Sequence, residues 1–128
     1  MKIFGINYKS IIVGENFLVL IWKDETGAFN DEKFKKEALD FKKYVLKYKP
    51  EGIVVDLTHF DFKISPELAE WRNKNVVSAY KEIGLKRFAF VTADKDTIKQ
   101  PALGNSRDTF ETRYFTDIYD AQEWVSMR

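Results

Sequence analysis

The sequence predicts an α/β domain: a mixed, mostly parallel sheet of about five strands, with an N-terminal antiparallel hairpin and three main helices. Three observations carry this. Short runs rich in Ile, Val, Leu and Phe alternate with longer amphipathic segments along the 128 residues. The amphipathic segments open on capping residues, and the first two close on Pro or Gly. Two of the short runs, Phe17-Leu-Val-Leu-Ile-Trp22 and Phe88-Ala-Phe-Val91, are apolar at consecutive positions, so both of their faces must be covered.

Residues 8–13 and 17–23 read as two strands, and Gly14-Glu15-Asn16 between them makes a hairpin. Residues 23–30 are polar and contain Gly27, which is a loop. The first helix begins at Asn30 or Asp31, either of which can cap it. Phe34, Ala38, Phe41, Val45 and Tyr48 recur at helical spacing, while Lys35, Lys36, Glu37, Asp40, Lys42 and Lys43 decorate the remaining surface. Pro50 and Gly52 end it. Residues 52–57 form a buried strand, and 58–64 a connecting loop. Ser65-Pro66-Glu67 opens the second helix with a cap, a proline at the first helical position and an acid in the first turn. Leu68, Trp71, Asn75 or Val76, Ala79 and Ile83 face inward there, and Gly84 stops it. Residues 87–92 and 111–116 are the remaining strands, separated by an irregular stretch, 93–108, that Pro101 and Gly104 interrupt. Asp117 caps a last helix whose apolar stripe is Ile118, Ala121, Trp124 and Val125. The order is β-β-α-β-α-β-loop-β-α, one domain over 1–128.

Two sources can cover the consecutive-apolar strands. Either the helices divide between the two faces, or loops or a second molecule shield one of them. The latter includes self-association through the sheet, giving a homodimer.

Composition excludes several function classes. Hydrophobic residues make up 45% and charged residues 32%, an ordinary globular balance. Net charge is +1, which provides no basic footprint for nucleic acid. There is no Cys, hence no disulfide, thiol nucleophile or Cys-based zinc site. The longest apolar run is six residues, too short for integral membrane association, and no secretory leader is recognisable, so a cytoplasmic location is expected. The run of lysines from Lys33 to Lys49 is interleaved with Glu37 and Asp40, as on a solvated helix face.

The chemistry-bearing residues cluster at the end of the 52–57 strand. Asp56 and the single histidine, His59, fall where ligands bind in open α/β sheets. A histidine oriented by a carboxylate can act as a general base. No nucleophile elbow, Walker loop, dinucleotide fingerprint or metal-ligand spacing accompanies them, so neither catalytic residues nor a cofactor or metal is assigned. The plainer role for Asp56 is bonding to loop N–H groups, with His59 on a surface loop. Ser65 stands at a helix N-terminus, where a phosphate would meet free N–H groups, and where a plain cap is the simpler use.

The ordered set Val54-Val-Asp56-Leu57, Ser65-Pro66-Glu67-Leu68 with Trp71, and Gly84-Leu-Lys-Arg-Phe-Ala-Phe-Val91 resembles SpoIIAA-like proteins of the STAS superfamily. The closing Arg113-Tyr-Phe-Thr-Asp117 and Asp120-Ala-Gln-Glu-Trp124 agree. The resemblance implies a mixed sheet with helices packed mainly on one side, and a regulatory or docking module instead of a catalyst. It also implies Ser65 as candidate phosphoacceptor. The serine here stands in Ile64-Ser65-Pro66, whereas the antagonists carry a small-residue stretch.

The expected function is therefore a non-enzymatic, STAS-like interaction module binding a protein partner. Its binding residues are Asp56, Thr58, His59, Phe60, Phe62, Ser65, Glu67 and Leu68. The alternative is a carrier for a small apolar or lipid-like ligand held between the sheet and the Ser65 helix. That arrangement requires a chamber of roughly 300–1,000 Å³ lined by Phe and Trp.

Overall fold

The computed structural model describes residues 2–6, 9–23, 29–60, 64–93 and 110–127. Its strands are β1 (Lys2–Ile6), β2 (Lys9–Val13), β3 (Phe17–Trp22), β4 (Gly52–Asp56), β5 (Arg87–Val91) and β6 (Glu111–Phe115). The helices are α1 (Asp31–Tyr48), α2 (Pro66–Arg72), α3 (Ser78–Glu82) and α4 (Ile118–Ser126), and a π-helical turn over Asn73–Val77 joins α2 to α3. Backbone angles stay right-handed helical at Asn73 and Ser78, so α2, the π turn and α3 run on as one helical stretch.

All six strands form one sheet in sequence order. β1–β2 and β2–β3 are antiparallel, and the other three pairings are parallel. The α/β class, the N-terminal hairpin and the three helical regions are as the sequence predicts. The additional strand is β1, which extends the hairpin into a three-stranded antiparallel flap. Lys2 and Gly5 break its apolar pattern, and it pairs along one edge only, so a burial signature is absent.

The helices divide between the two faces of the sheet. Leu18, Leu20 and Trp22 of β3, Ile53 and Val55 of β4, and Phe88 and Phe90 of β5 share a core with α1 and the α2–α3 stretch. The alternate residues, Val19, Val54, Ala89 and Val91, pack under Ala121, Trp124 and Val125 of α4. This alternation explains the consecutive-apolar strands without a second molecule: two helical layers of the same chain cover β3, β4 and β5.

The caps follow the sequence closely. Asn30 Oδ1 accepts from Lys33 N at 2.7 Å, Ser65 Oγ from Leu68 N at 3.1 Å, and Asp117 Oδ1 from Tyr119 N at 2.7 Å. Lys49, in the left-handed region at φ 45°, ends α1 ahead of buried Pro50. Gly84, at φ 77°, stops α3.

Two inward assignments need correction. Glu37, expected on the solvated side of α1, is only 4% exposed. It lies three residues after Phe34 and four before Phe41, on the buried stripe itself. In the second helical region Val76 and Ala79 are buried, but so are Val77 and Tyr80, whereas Asn75 is exposed. The wider π turn shifts the helical phase, so that a single 3.6-residue stripe does not run from Leu68 to Ile83.

Candidate functional site

Those predicted binding residues that are described lie just past the carboxyl end of β4 and at the start of α2. Leu57 N donates to Val91 O at 2.7 Å, carrying the β4–β5 pairing one residue past the strand. Asp56 Oδ1 then accepts from both Thr58 N (2.9 Å) and Thr58 Oγ1 (2.6 Å), an Asx-type turn that pins the loop. Phe60 N closes it by donating to Leu57 O at 3.0 Å. Thr58 and His59 are left exposed at its tip. The half-buried Phe60 ring packs on Trp22 at 5.4 Å and lies edge-on to Phe29 at 6.4 Å.

On the far side of the loop, Ser65 is half-buried as the α2 cap, Glu67 is exposed, and Leu68 is 2% exposed. Leu68 is thus a core residue, which a partner could reach only by lifting α2. Phe62 lies outside the described residues, as does most of the irregular stretch, 94–108. The structure therefore gathers Asp56, Thr58, His59, Phe60, Ser65 and Glu67 at one end of the sheet. Asp56 is committed to Thr58, which is the plainer of its two expected roles. Among the described residues, no three His, Cys, Asp or Glu side chains converge as a metal site. No described helix is long and apolar enough to cross a membrane.

Behind this loop, between the sheet and the helices, the void is about 50 Å³. Trp22, Phe34, Phe60, Phe90, Tyr80 and Arg72 are among the residues that bound it. That is room for a water or two, and a small fraction of what an enclosed apolar ligand requires. Arg72 sits over the Phe88 ring at 5.6 Å. Burial pushes the Tyr80 phenol up to about 12, against a smaller opposing effect of the Arg72 charge. Tyr114, stacked on Phe90 at 5.5 Å, is raised for the same reason.

A larger concavity lies between α1 and the β1–β2 hairpin. It is a groove of about 860 Å³. Its floor is Ile3 and Gly5 of β1 with Lys9 and Ile11 of β2, and its wall includes Lys36, Leu39, Lys43 and Tyr44 of α1. Lys9 is 6% exposed, and its Nζ donates to Glu37 Oε2 at 2.5 Å and to Asp40 Oδ2 at 2.6 Å. Lys33 Nζ lies 3.4 Å from the other Glu37 oxygen. Burial by itself lowers the Lys9 pKa, but the hydrogen bonds and charges of Asp40 and Glu37 outweigh it and hold the group above its usual value. The ammonium is therefore a fixed charge, not a nucleophile.

Sequence reasoning missed this groove, although a signal was present. Lys9 shares the inward register of Ile11 and Val13, and Glu37 that of Phe34 and Phe41. Opposite charges on two inward registers imply a buried pair. No family model matches the chain, and no curated protein matches it either.

Proposed function

We propose that the chain is a non-enzymatic interaction module, STAS-like in kind and cytoplasmic, that docks a partner protein around the β4–α2 loop and the start of α2. The observation that carries this reading is the Asp56–Thr58 turn. Its two hydrogen bonds, 2.9 and 2.6 Å, present Thr58 and His59 outward in a set conformation, with about 50 Å³ of void behind them instead of a chamber. A loop ordered before binding loses less entropy on docking. Phe60, braced on Trp22, and Glu67 provide an apolar and an acidic contact beside it. Ser65 is the candidate phosphoacceptor: a phosphate there would add nearly two negative charges next to Glu67 and change the docking surface.

The test is affinity capture from the native cell, read by mass spectrometry, with wild type, the loop variant Thr58→Arg/His59→Glu, and Ser65→Asp. A partner held by wild type and lost with the loop variant supports the reading. The same proteins recovered at equal yield with all three would overturn it.

A further inference from the structure

The groove between α1 and the β1–β2 hairpin is remote in chemistry from the docking loop, and it has the features of a ligand site. Its volume, about 860 Å³, is within the roughly 300–1,000 Å³ of small-molecule sites. Its apolar lining includes Ile3 at 69% and Leu39 at 39% exposure and the half-buried Tyr44, with the buried Ile11 beneath. Its polar groups are few and asymmetrically placed. Glu37 and Asp40 are both bonded to Lys9, and Lys33 stands 3.4 Å from Glu37, so two ammonium groups balance the two carboxylates. Lys36 and Lys43 also line the groove, and among the described residues neither pairs with an acid. They stand two helical turns apart on α1, about 10.5 Å along its axis, close enough for two long flexible side chains to converge on one anion. An ammonium also has three N–H donors. Lys9 directs two of them to carboxylates, and among the described residues no acceptor takes the third.

We propose that this groove binds an anionic amphiphile of the acyl carboxylate class. The chain lies along Ile3, Leu39 and the Tyr44 ring. The carboxylate sits at the rim by Lys36 and Lys43, while Asp40, between them on α1, is held by Lys9 Nζ at 2.6 Å. A cationic amphiphile with the same tail meets two lysines that form no ion pair among the described residues, and is rejected. Charge sign therefore decides which ligand is taken, and the apolar strip sets the affinity.

The experiment is a calorimetric titration of the purified protein with dodecanoate below micellisation, alongside dodecyltrimethylammonium. Saturable one-to-one binding of dodecanoate is expected, with the cation roughly tenfold or more weaker. Lys36→Glu/Lys43→Glu and, separately, Leu39→Glu should each weaken dodecanoate by about tenfold or more. All three positions are solvent-facing, and circular dichroism checks that the variants fold. Absence of saturable binding, equal affinity for the two head groups, or unchanged affinity in both variants would overturn the proposal. Thr58→Arg/His59→Glu should leave dodecanoate binding intact, which separates failure here from failure of the docking reading.

Discussion

Lys9 Nζ lies 2.5 Å from Glu37 Oε2, and both side chains are under a tenth exposed. This pair joins β2 to the middle of α1 across the face of the sheet. Removing one partner leaves a buried, uncompensated charge, whereas removing both does not. Lys9→Met should therefore cost about 3 kcal/mol at neutral pH, toward the low end of such losses because Lys33 remains 3.4 Å from Glu37. Lys9→Met/Glu37→Met should recover most of it. Urea denaturation of the single and double variants measures both; a double variant as unstable as the single one would show that the pair is not the cause.

The alkaline limb of stability is set in part by Tyr80, whose phenol burial raises from 10.0 to about 12. A folded pKa above the unfolded one means that the stability is complete below pH 10 and is lost as pH climbs through 12. The loss amounts to about 2–3 kcal/mol over that window. Lys9, also raised, acts in the same direction above 10.5. Tyr80→Phe should flatten the decline in denaturation midpoint between pH 10 and 12; an unchanged slope would assign it to other groups.

Gly52 begins β4 where α4 crosses it. A Cβ there would stand 2.6 Å from Val125 O and 2.7 Å from Val125 Cβ, so the helix must shift to admit even a methyl group. Gly52→Ala should destabilise the fold by about 1–3 kcal/mol. Thermal unfolding, together with faster amide exchange in α4 than in α1, checks both the size and the place of the effect.

Ser65 offers a way to separate its cap from any switch. Its Oγ accepts from Leu68 N at 3.1 Å, so Ser65→Ala should cost about 1 kcal/mol. Ser65→Asp keeps an acceptor at the cap and adds a negative charge at the helix N-terminus, and it should hold wild-type stability within about 0.5 kcal/mol. Chemical denaturation of the two distinguishes them, and an equal loss in both would remove the capping explanation.

How far the candidate sites were legible differs sharply between them. The β4–α2 loop could be picked out as a candidate because its signals are local: an acid and a histidine just past a strand, then Ser-Pro-Glu at a helix start. The groove was not found, because it is made by strand residues near the N-terminus and helix residues some 30 positions later, none forming a motif. Tyr80 was missed because the π turn breaks the periodicity by which a buried helical residue is recognised.

What the sequence by itself determined is whatever short-range chemistry dictates: α/β order, helix caps at Asn30 or Asp31, at Ser65 and at Asp117, and the need to cover both sides of β3 and β5. Period-two and period-3.6 patterns encode which residues turn inward, and cap residues encode where helices start. Only the tertiary structure decided that α4 takes one face while α1 and α2–α3 take the other, that β1 adds an edge strand, and that Lys9 meets Glu37 and Asp40 beside an open groove. Those outcomes depend on how distant segments pack. A local pattern can require a charged side chain to find a partner, but it cannot say which element will bring one.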